Sequence, residues 1–99
     1  MTTLVVQHHV RDYDAWKPVF DDHEEGRSRH GATGHTVLRG QEDGNDILVT
    51  IDFPDRSSAE AFLADASLRE VMARAGVEGQ PAISFREEAE TIRYGAPVA

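Results

Sequence analysis

The sequence contains no cysteine, no long apolar run and little positive charge. Without cysteine the chain has no disulfide, no thiolate nucleophile, no thiolate-ligated haem or iron–sulfur cluster, and no cysteine zinc site. No apolar segment approaches the roughly 20 residues that cross a bilayer, and the N-terminus lacks the charged and apolar regions of a signal peptide. We therefore expect a cytoplasmic protein in which any chemistry depends on histidines and carboxylates.

Positive charge is scarce because 10 lysines and arginines stand against 18 aspartates and glutamates, which gives a net charge of -8. A chain of this charge is repelled by phosphate backbones and by anionic lipid headgroups. We therefore expect neither nucleic acid nor a membrane surface as a partner.

The length of 99 residues suits one domain, predicted to span residues 1–99, and leaves no room for a second. A chain of this size buries roughly two thirds of the surface that it exposes when unfolded, so its stability is marginal. Association with a second copy would add buried surface.

Alternating apolar residues and turn residues predict four strands, at residues 4–10, 35–39, 47–53 and 83–92. The third strand has the clearest pattern, and an Asp-Gly turn before it predicts a hairpin with the second. Pro81 is predicted to precede the last strand. The tail from Gly95 onward is predicted to be frayed.

Two helical regions separate these strands. The first is predicted to begin at Asp14 or Ala15, because Pro18 is tolerated only in a first turn, and to end at Gly31 as a single helix. The second contains two capping boxes, Ser57-x-x-Glu60 and Ser67-x-x-Glu70, so we expect it to be broken near Asp65.

The resulting order, β-α-β-β-α-β, predicts an α+β, ferredoxin-like fold with a four-stranded antiparallel sheet and both helical regions on one face. The other face, which carries Val5, Leu48 and Thr50, would be left in water. A small protein that exposes half-apolar sheet tends to associate, so we expect a homodimer that covers this face.

Several segments resemble the dimeric α+β barrel proteins, in particular the antibiotic biosynthesis monooxygenase-like group. They are the strand Val5–Val10, DYDAWKPVF at 12–20, HGATGH at 30–35, and the third strand with the broken helix after it. The resemblance covers nearly the whole chain. It implies two sheets packed into a barrel across a dimer, with a ligand cavity between each sheet and its own helices. Members include cofactor-free quinone-forming monooxygenases, polyketide cyclases, lactone isomerases and haem degraders.

The catalytic residues of those members are not reproduced. The Tyr and His of the plant polyketide cyclase match Phe62 and Leu68, and the Trp of the quinone-forming enzymes has no counterpart in the second helical region, since Trp16 lies in the first. Residues 57–79 contain no histidine that could ligate haem. We therefore expect no cofactor, and any chemistry must use another part of the cavity.

The five histidines do not fit a metal site. His8 and His9 are adjacent on a strand and point to opposite faces. His23 and His30 are seven residues apart on one helix, which separates them by about 10.5 Å, whereas metal–nitrogen bonds are about 2 Å. We predict no bound metal.

His8 shares strand parity with the apolar residues expected to face the helices, and His23 lies one helical turn beyond Phe20. We predict these two histidines as candidate catalytic bases, since a neutral imidazole can remove a proton next to a carbonyl. The pocket expected to bind a flat, mostly apolar molecule is lined by Trp16, Phe20, Val49, Ile51, Phe62, Leu68 and Met72.

Two hypotheses for the function stay open from the sequence. The first is an enzyme of monooxygenase, cyclase or isomerase type, free of metal and flavin, that acts on a small aromatic or polyketide-like metabolite. The second is a non-catalytic dimer that binds a small molecule or fills the cavity with its own side chains. In that case the two histidines are core residues bonded to each other or to backbone. Which of His8 and His9 faces the cavity is not decided by the pattern alone.

Overall fold

A computed structural model describes residues 1–95 of the chain, and the predicted frayed tail falls largely on residues outside this range. Four strands and four helices are assigned within it. In chain order they are β1 (Thr2–Val10), α1 (Tyr13–Asp22), α2 (Glu24–Arg29), β2 (Gly34–Arg39), β3 (Asp46–Phe53), α3 (Arg56–Ala64), α4 (Ala66–Ala75) and β4 (Val77–Arg86).

The four strands form one sheet in the order β2-β3-β1-β4, and every neighbouring pair is antiparallel. Alternate residues of β3 are buried, because one face of the sheet meets the helices and the other does not. The ferredoxin-like α+β fold with its helices on one face is therefore confirmed.

The core lies between the inner face of the sheet and the helices. Phe53, Leu4, Ile47 and Val10 are its largest fully buried side chains. Each such side chain contributes about 1.5–3 kcal/mol through removal of apolar surface from water. The helices add Trp16, Phe20, Ala59, Phe62, Leu68 and Ala75. The core thus joins α1, α3 and α4 to the sheet. The buried residues of α2 are Gly26 and Arg27.

The first helical region differs from the single helix predicted. It begins at Tyr13, one residue before the expected start, because the Asp12 side chain accepts a hydrogen bond from the backbone N–H of Asp14 and caps the helix. It is interrupted at His23, whose backbone (φ -91°, ψ 13°) leaves the helical conformation before α2 begins. The side-chain spacing continues across this break, so the sequence pattern gave no sign of it. Gly31 follows α2 with φ 88°, as predicted for a left-handed ending.

The second helical region is broken at Asp65, as predicted, but neither serine box caps a helix. Asp55 caps α3 by accepting from the backbone N–H of Ser58 at 2.8 Å, and Asp65 caps α4 by accepting from Ser67 at 3.0 Å. Asp55 and Asp65 stand two residues before the first serines of the boxes, Ser57 and Ser67. Their carboxylates therefore accept hydrogen bonds from the free N–H groups at the start of each helix. Both helices therefore start earlier than the serines indicated.

The last strand was placed incorrectly at 83–92, since β4 runs from Val77 to Arg86. Pro81 lies inside it, which is possible because β4 is an edge strand of the sheet. The pairing with β1 shifts between Gln7 and His9: Gln7 is opposite Ala82, while His9 is opposite Glu78. Three residues of β4 therefore stand against the single residue between them, His8, in a bulge that includes Gly79 at φ 70°.

The outer face of the sheet has no cover within the described chain. Val5, Leu48 and Thr50 of the two central strands are partly exposed there, and Leu38 of β2 is 54% exposed beside Leu48. Among the described residues there is no helix with the length and apolar character needed to cross a membrane.

Candidate active site

One cavity of about 50 Å³ lies between the inner face of the sheet and the helices. All nine of the predicted site residues line it, although their roles stay predictions. They are His8, Trp16, Phe20, His23, Val49, Ile51, Phe62, Leu68 and Met72. The sequence analysis missed Arg27 and also the apolar Val6, Val71, Ala75 and Val77, which complete the wall.

His8 projects from β1 into this cavity and is only 8% exposed. Neither ring nitrogen has a hydrogen-bond partner among residues 1–95, and the ring centre lies 5.7 Å from that of Trp16. Burial lowers the pKa of His8 below 6.5, and the negative charge of Asp46 only partly opposes this. His8 is thus a neutral imidazole at pH 7 with free nitrogens facing an apolar space.

His9 points to the opposite face of the sheet, so of these two neighbours it is His8 that faces the cavity. On the outer face the Nδ1 atom of His9 lies 2.8 Å from a Glu78 carboxylate oxygen and its Nε2 atom 2.9 Å from one of Asp43. These two hydrogen bonds raise the pKa of His9, that to Glu78 having the larger effect.

His23 reaches the cavity from the break between α1 and α2. Its Nε2 atom is buried and unpartnered within the described chain, and its ring centre lies 6.1 Å from that of Phe62. Burial lowers the pKa of His23, and the positive charge of Arg27 adds to this effect. The ring folds back over Gly26, where any side chain would overlap it. Gly26 therefore fixes the position of His23 by leaving space for it.

A row of aromatic rings forms one side of the cavity. Trp16 and Phe20, one helical turn apart on α1, stack with ring centres 4.8 Å apart. Phe20 then meets the edge of His35 at 5.1 Å. Because Trp16 and Phe20 stack face to face, the row presents mainly the apolar edges of its rings to the cavity.

Arg27 stands at the Phe20 end of this row and is only 4% exposed. Its guanidinium carbon lies 3.9 Å from the centre of the Phe20 ring, and its Nη1 atom donates a 2.9 Å hydrogen bond to the backbone oxygen of Phe20. Burial lowers its pKa, yet an arginine stays charged near neutral pH. The helical stripe of Trp16, Phe20 and His23 includes Arg27 and could have identified it.

A hydrogen bond between His30 and Asp65 joins the two broken helical regions. The Nε2 atom of His30 lies 2.9 Å from a carboxylate oxygen of Asp65, and that carboxylate also accepts hydrogen bonds from Ser67. The hydrogen bond with His30 has the largest effect on Asp65, and together these bonds hold its pKa well below its usual range. The contact ties the end of α2 to the start of α4.

The histidines do not converge on a common point. Within residues 1–95 no three histidine or carboxylate side chains lie close enough together to hold a metal ion. What the arrangement offers chemically is two neutral imidazoles, a wall of stacked aromatic rings and one largely buried cation around an apolar space.

We expect the free energy of unfolding to fall as the pH is lowered from 7.5 to 5.5. The pKa values of His8 and His23 are lowered in the folded chain, so below about pH 6.5 the unfolded chain binds protons that the folded chain does not. The free energy of unfolding then falls by at most about 1.4 kcal/mol per pH unit for each of the two histidines. The raised pKa of His9 acts in the opposite direction, stabilising the fold below 6.5, but this residue is exposed and its effect is small.

Urea unfolding at both pH values measures this fall. A His8→Leu variant is expected to show a smaller fall than the wild type, because it lacks one of the two buried imidazoles. Unchanged stability over this pH range, or the same fall in the variant, would contradict the burial of a neutral His8.

Comparison with known proteins identifies solved structures of the same fold. No protein-family model matches the sequence, and no curated protein matches it. Among solved structures, the chain is similar to SnoaB of Streptomyces nogalater, described as a cofactor-independent oxygenase, with 18% identity, a TM-score of 0.75, and coverage of 92% of this chain and 95% of that one.

A second similar structure is assigned as an antibiotic biosynthesis monooxygenase of Bordetella bronchiseptica, with 12% identity, a TM-score of 0.77, and coverage of 90% of this chain and 97% of that one. A third, from Deinococcus radiodurans and of the same assignment, has 13% identity and a TM-score of 0.68, and covers 97% of this chain and all of that one. The chain therefore has the fold of the antibiotic biosynthesis monooxygenase-like proteins, the group that its sequence resembles.

Proposed function

We propose that this chain is an enzyme, independent of metal and flavin, that removes a proton from a small aromatic or polyketide-like substrate, with His8 as the base. The observation that carries the proposal is the buried imidazole of His8, whose ring lines an apolar cavity and whose two nitrogens have no hydrogen-bond partner within residues 1–95. Leaving such a group unbonded costs about 1–3 kcal/mol of stability, a cost that a structural histidine avoids. A neutral imidazole is also the form that accepts a proton.

The reaction that we propose begins when His8 takes a proton from a carbon next to a carbonyl or between aryl rings. In the oxygenase case the carbanion then transfers electrons to O2; one oxygen atom becomes the new carbonyl oxygen and the other leaves as water, so that CH2 and O2 give C=O and H2O. Cyclisation and isomerisation share the first step. The likeness to SnoaB, described as a cofactor-independent oxygenase, favours the oxygenase case.

His23 is proposed as the second polar group of the reaction. His23 lines the same cavity, and its Nε2 atom, which packs against Gly26, has no partner within residues 1–95. A rotation of the ring would let this atom donate a hydrogen bond to the oxygen of the enolate that proton removal creates. Its lowered pKa keeps His23 neutral near pH 7, so the residue places no permanent positive charge in the cavity.

Substrate binding requires the cavity to expand. A cavity of 150 Å³ holds benzene, whereas this one measures about 50 Å³. The wall best able to move is α4, which is separated from α3 by the break at Asp65 and contributes Met72, a flexible and only half-buried side chain. We propose that Met72 and its helix shift outward when the ligand enters.

The small cavity also favours the second candidate function, a non-catalytic binding or structural protein in which Phe62, Leu68 and Met72 fill the space. The two candidates differ in one observable. An enzyme with a general base exchanges the acidic proton of a bound substrate with solvent, whereas a binding protein does not.

The experiment is to incubate the protein with anthrone, whose methylene lies between two aryl rings, in buffered D2O containing EDTA. Deuterium incorporation is followed by NMR, O2 uptake by an electrode and the quinone by absorbance, with heat-denatured protein as the control. Exchange with equimolar O2 uptake and quinone formation supports an oxygenase, and exchange alone supports a cyclase or isomerase. No exchange above the control, with binding still seen by Trp16 fluorescence, would establish the binding protein instead.

We also propose that the chain is a homodimer in which the outer face of the sheet packs on a second copy. The partly exposed Val5, Leu48 and Thr50, with Leu38 beside them, support this arrangement. The cytoplasmic location and the absence of nucleic-acid and membrane partners stay predictions that follow from composition and charge.

A further inference from the structure

Arg27 is a buried cation that the proposed reaction does not use. It is 4% exposed, and within the described residues no carboxylate oxygen lies within 4 Å of its guanidinium nitrogens. The nearest acidic groups, Glu24 and Asp21, influence it only through their charge at longer range. Most of this side chain is removed from water, and that desolvation needs a reason, while its remaining guanidinium N–H groups are not fully buried and keep contact with water.

The hydrogen bond from Arg27 to the Phe20 backbone oxygen is not a sufficient reason. It uses one of five N–H donors, and the same oxygen already accepts the backbone N–H of His23 at the helix break. A neutral donor could provide that bond without a buried charge. The remaining donors of the planar guanidinium are suited to two parallel hydrogen bonds with a carboxylate.

Arg27 also forms the wall between two spaces. On one side is the apolar cavity, and on the other is a polar pocket of about 100 Å³ whose other lining residues are Glu24, Ser28, Ala32, Thr33, Gly34 and His35. Burial lowers the pKa of His35, and the positive charge of Arg27 adds to this effect, while the charges of Glu24 and Asp21 oppose it. Glu24 is exposed and forms no close pair with Arg27, so it does not occupy this position.

The ring contacts place Arg27 and His8 at opposite ends of one wall. His8 meets Trp16, Trp16 stacks on Phe20, and Phe20 carries the guanidinium of Arg27. A flat ligand lying along this row would have one end at the base and the other at the cation. A group held by Arg27 is therefore remote from the carbon that loses its proton.

We infer that the ligand of this cavity carries a carboxylate at the end away from His8 and that Arg27 binds this carboxylate. The inference rests on the proposed function for the role of His8 but not for the anion site itself. Arg27 is thus a specificity-determining residue: it selects acidic aromatic molecules over neutral ones of the same shape and fixes which end meets the base.

Isothermal titration calorimetry with 2-naphthoate and its neutral counterpart 2-naphthamide tests the inference. We expect the wild type to bind naphthoate at least 10-fold more tightly than naphthamide. Arg27→Met is expected to weaken naphthoate binding by about 10- to 100-fold, the range for a lost hydrogen bond to a charged group, and to leave naphthamide binding unchanged. Arg29→Met is the matched control, since Arg29 lies on the same short helix but is exposed and pairs with Asp65.

Equal affinities of the wild type for both compounds, no binding of either, or a naphthoate preference that survives Arg27→Met would overturn the inference. If circular dichroism shows that Arg27→Met does not fold, Arg27→Lys decides: it keeps the charge and loses the planar pair of donors, so a clearly reduced preference supports the site and an unchanged one overturns it.

The outcome is separable from that of the proposed function, because binding is measured without turnover. A carboxylate preference without proton exchange leaves the anion site standing and rejects the enzyme. Exchange that depends on His8, without any carboxylate preference, does the reverse.

Discussion

Replacing His8 by leucine is expected to lower the rate of proton removal by about 100- to 10,000-fold, the contribution of a general base, and at the same time to stabilise the fold. The gain in the free energy of unfolding at pH 7.5 is expected to be about 1–3 kcal/mol, because the variant has no buried ring nitrogens without partners. A core histidine with satisfied hydrogen bonds would give the opposite sign. Opposite effects on activity and on stability are typical of a residue kept for its chemistry.

The rate is measured as deuterium exchange into the substrate, and the stability by urea unfolding at pH 7.5. His9→Gln is the control, since His9 is the next residue of the same strand and points to the outer face. We expect this control to keep the wild-type exchange rate. The base assignment is wrong if His8→Leu exchanges at the wild-type rate, and the burial argument is wrong if the variant is less stable.

The second large effect is expected on the outer face of the sheet. Thr50 lies in the middle of this face, opposite Val5 of β1 and Thr36 of β2. A glutamate at this position would be buried without a partner in the proposed homodimer, on the same face of β3 as Asp52. An unpaired buried charge costs about 3–5 kcal/mol, so Thr50→Glu should raise the dissociation constant of the dimer at least about 100-fold.

Sedimentation equilibrium over micromolar concentrations measures this constant. Ser57→Glu, which adds the same charge at an exposed position of α3, is expected to leave it unchanged. A wild-type chain that is a stable monomer at these concentrations would refute the dimer, and so would a Thr50→Glu variant that associates as tightly as the wild type.

The sequence predicted the fold well where one side of an element is buried and the other is not. The third strand was located to within one residue of β3, because its alternation follows directly from the two faces of the sheet. Gly31 was identified as a helix end because its backbone needs a positive φ, which glycine adopts without strain.

Predictions failed where a local competition decides the structure. The serine boxes and the aspartates before them offer similar caps, and only the three-dimensional geometry selects Asp55 and Asp65. In β4 the bulge removes the regular alternation near Pro81, so the strand was placed too late in the chain. The interruption at His23 leaves the side-chain spacing intact and is therefore invisible in the pattern.

The site was predicted more completely on its apolar side than on its charged side. Strand parity and helical spacing brought His8, Trp16 and Phe20 to one cavity, since both periodicities are geometric. Arg27 lay on the same stripe, but arginines are mostly exposed, so its sequence position did not indicate a buried cation. Its burial and its contact with Phe20 are seen in the structure.

The bulge in β4 has a consequence for how copies of this chain can aggregate. A free sheet edge can recruit further strands and grow into a fibril. Pro81 has no N–H to offer to an incoming strand, and the left-handed Gly79 bends the same edge away from a regular ladder. Growth of the sheet beyond β4 is therefore blocked by the same residues that stand opposite His8. At the β4 side, the proposed face-to-face pairing of two copies is therefore the association that stays open.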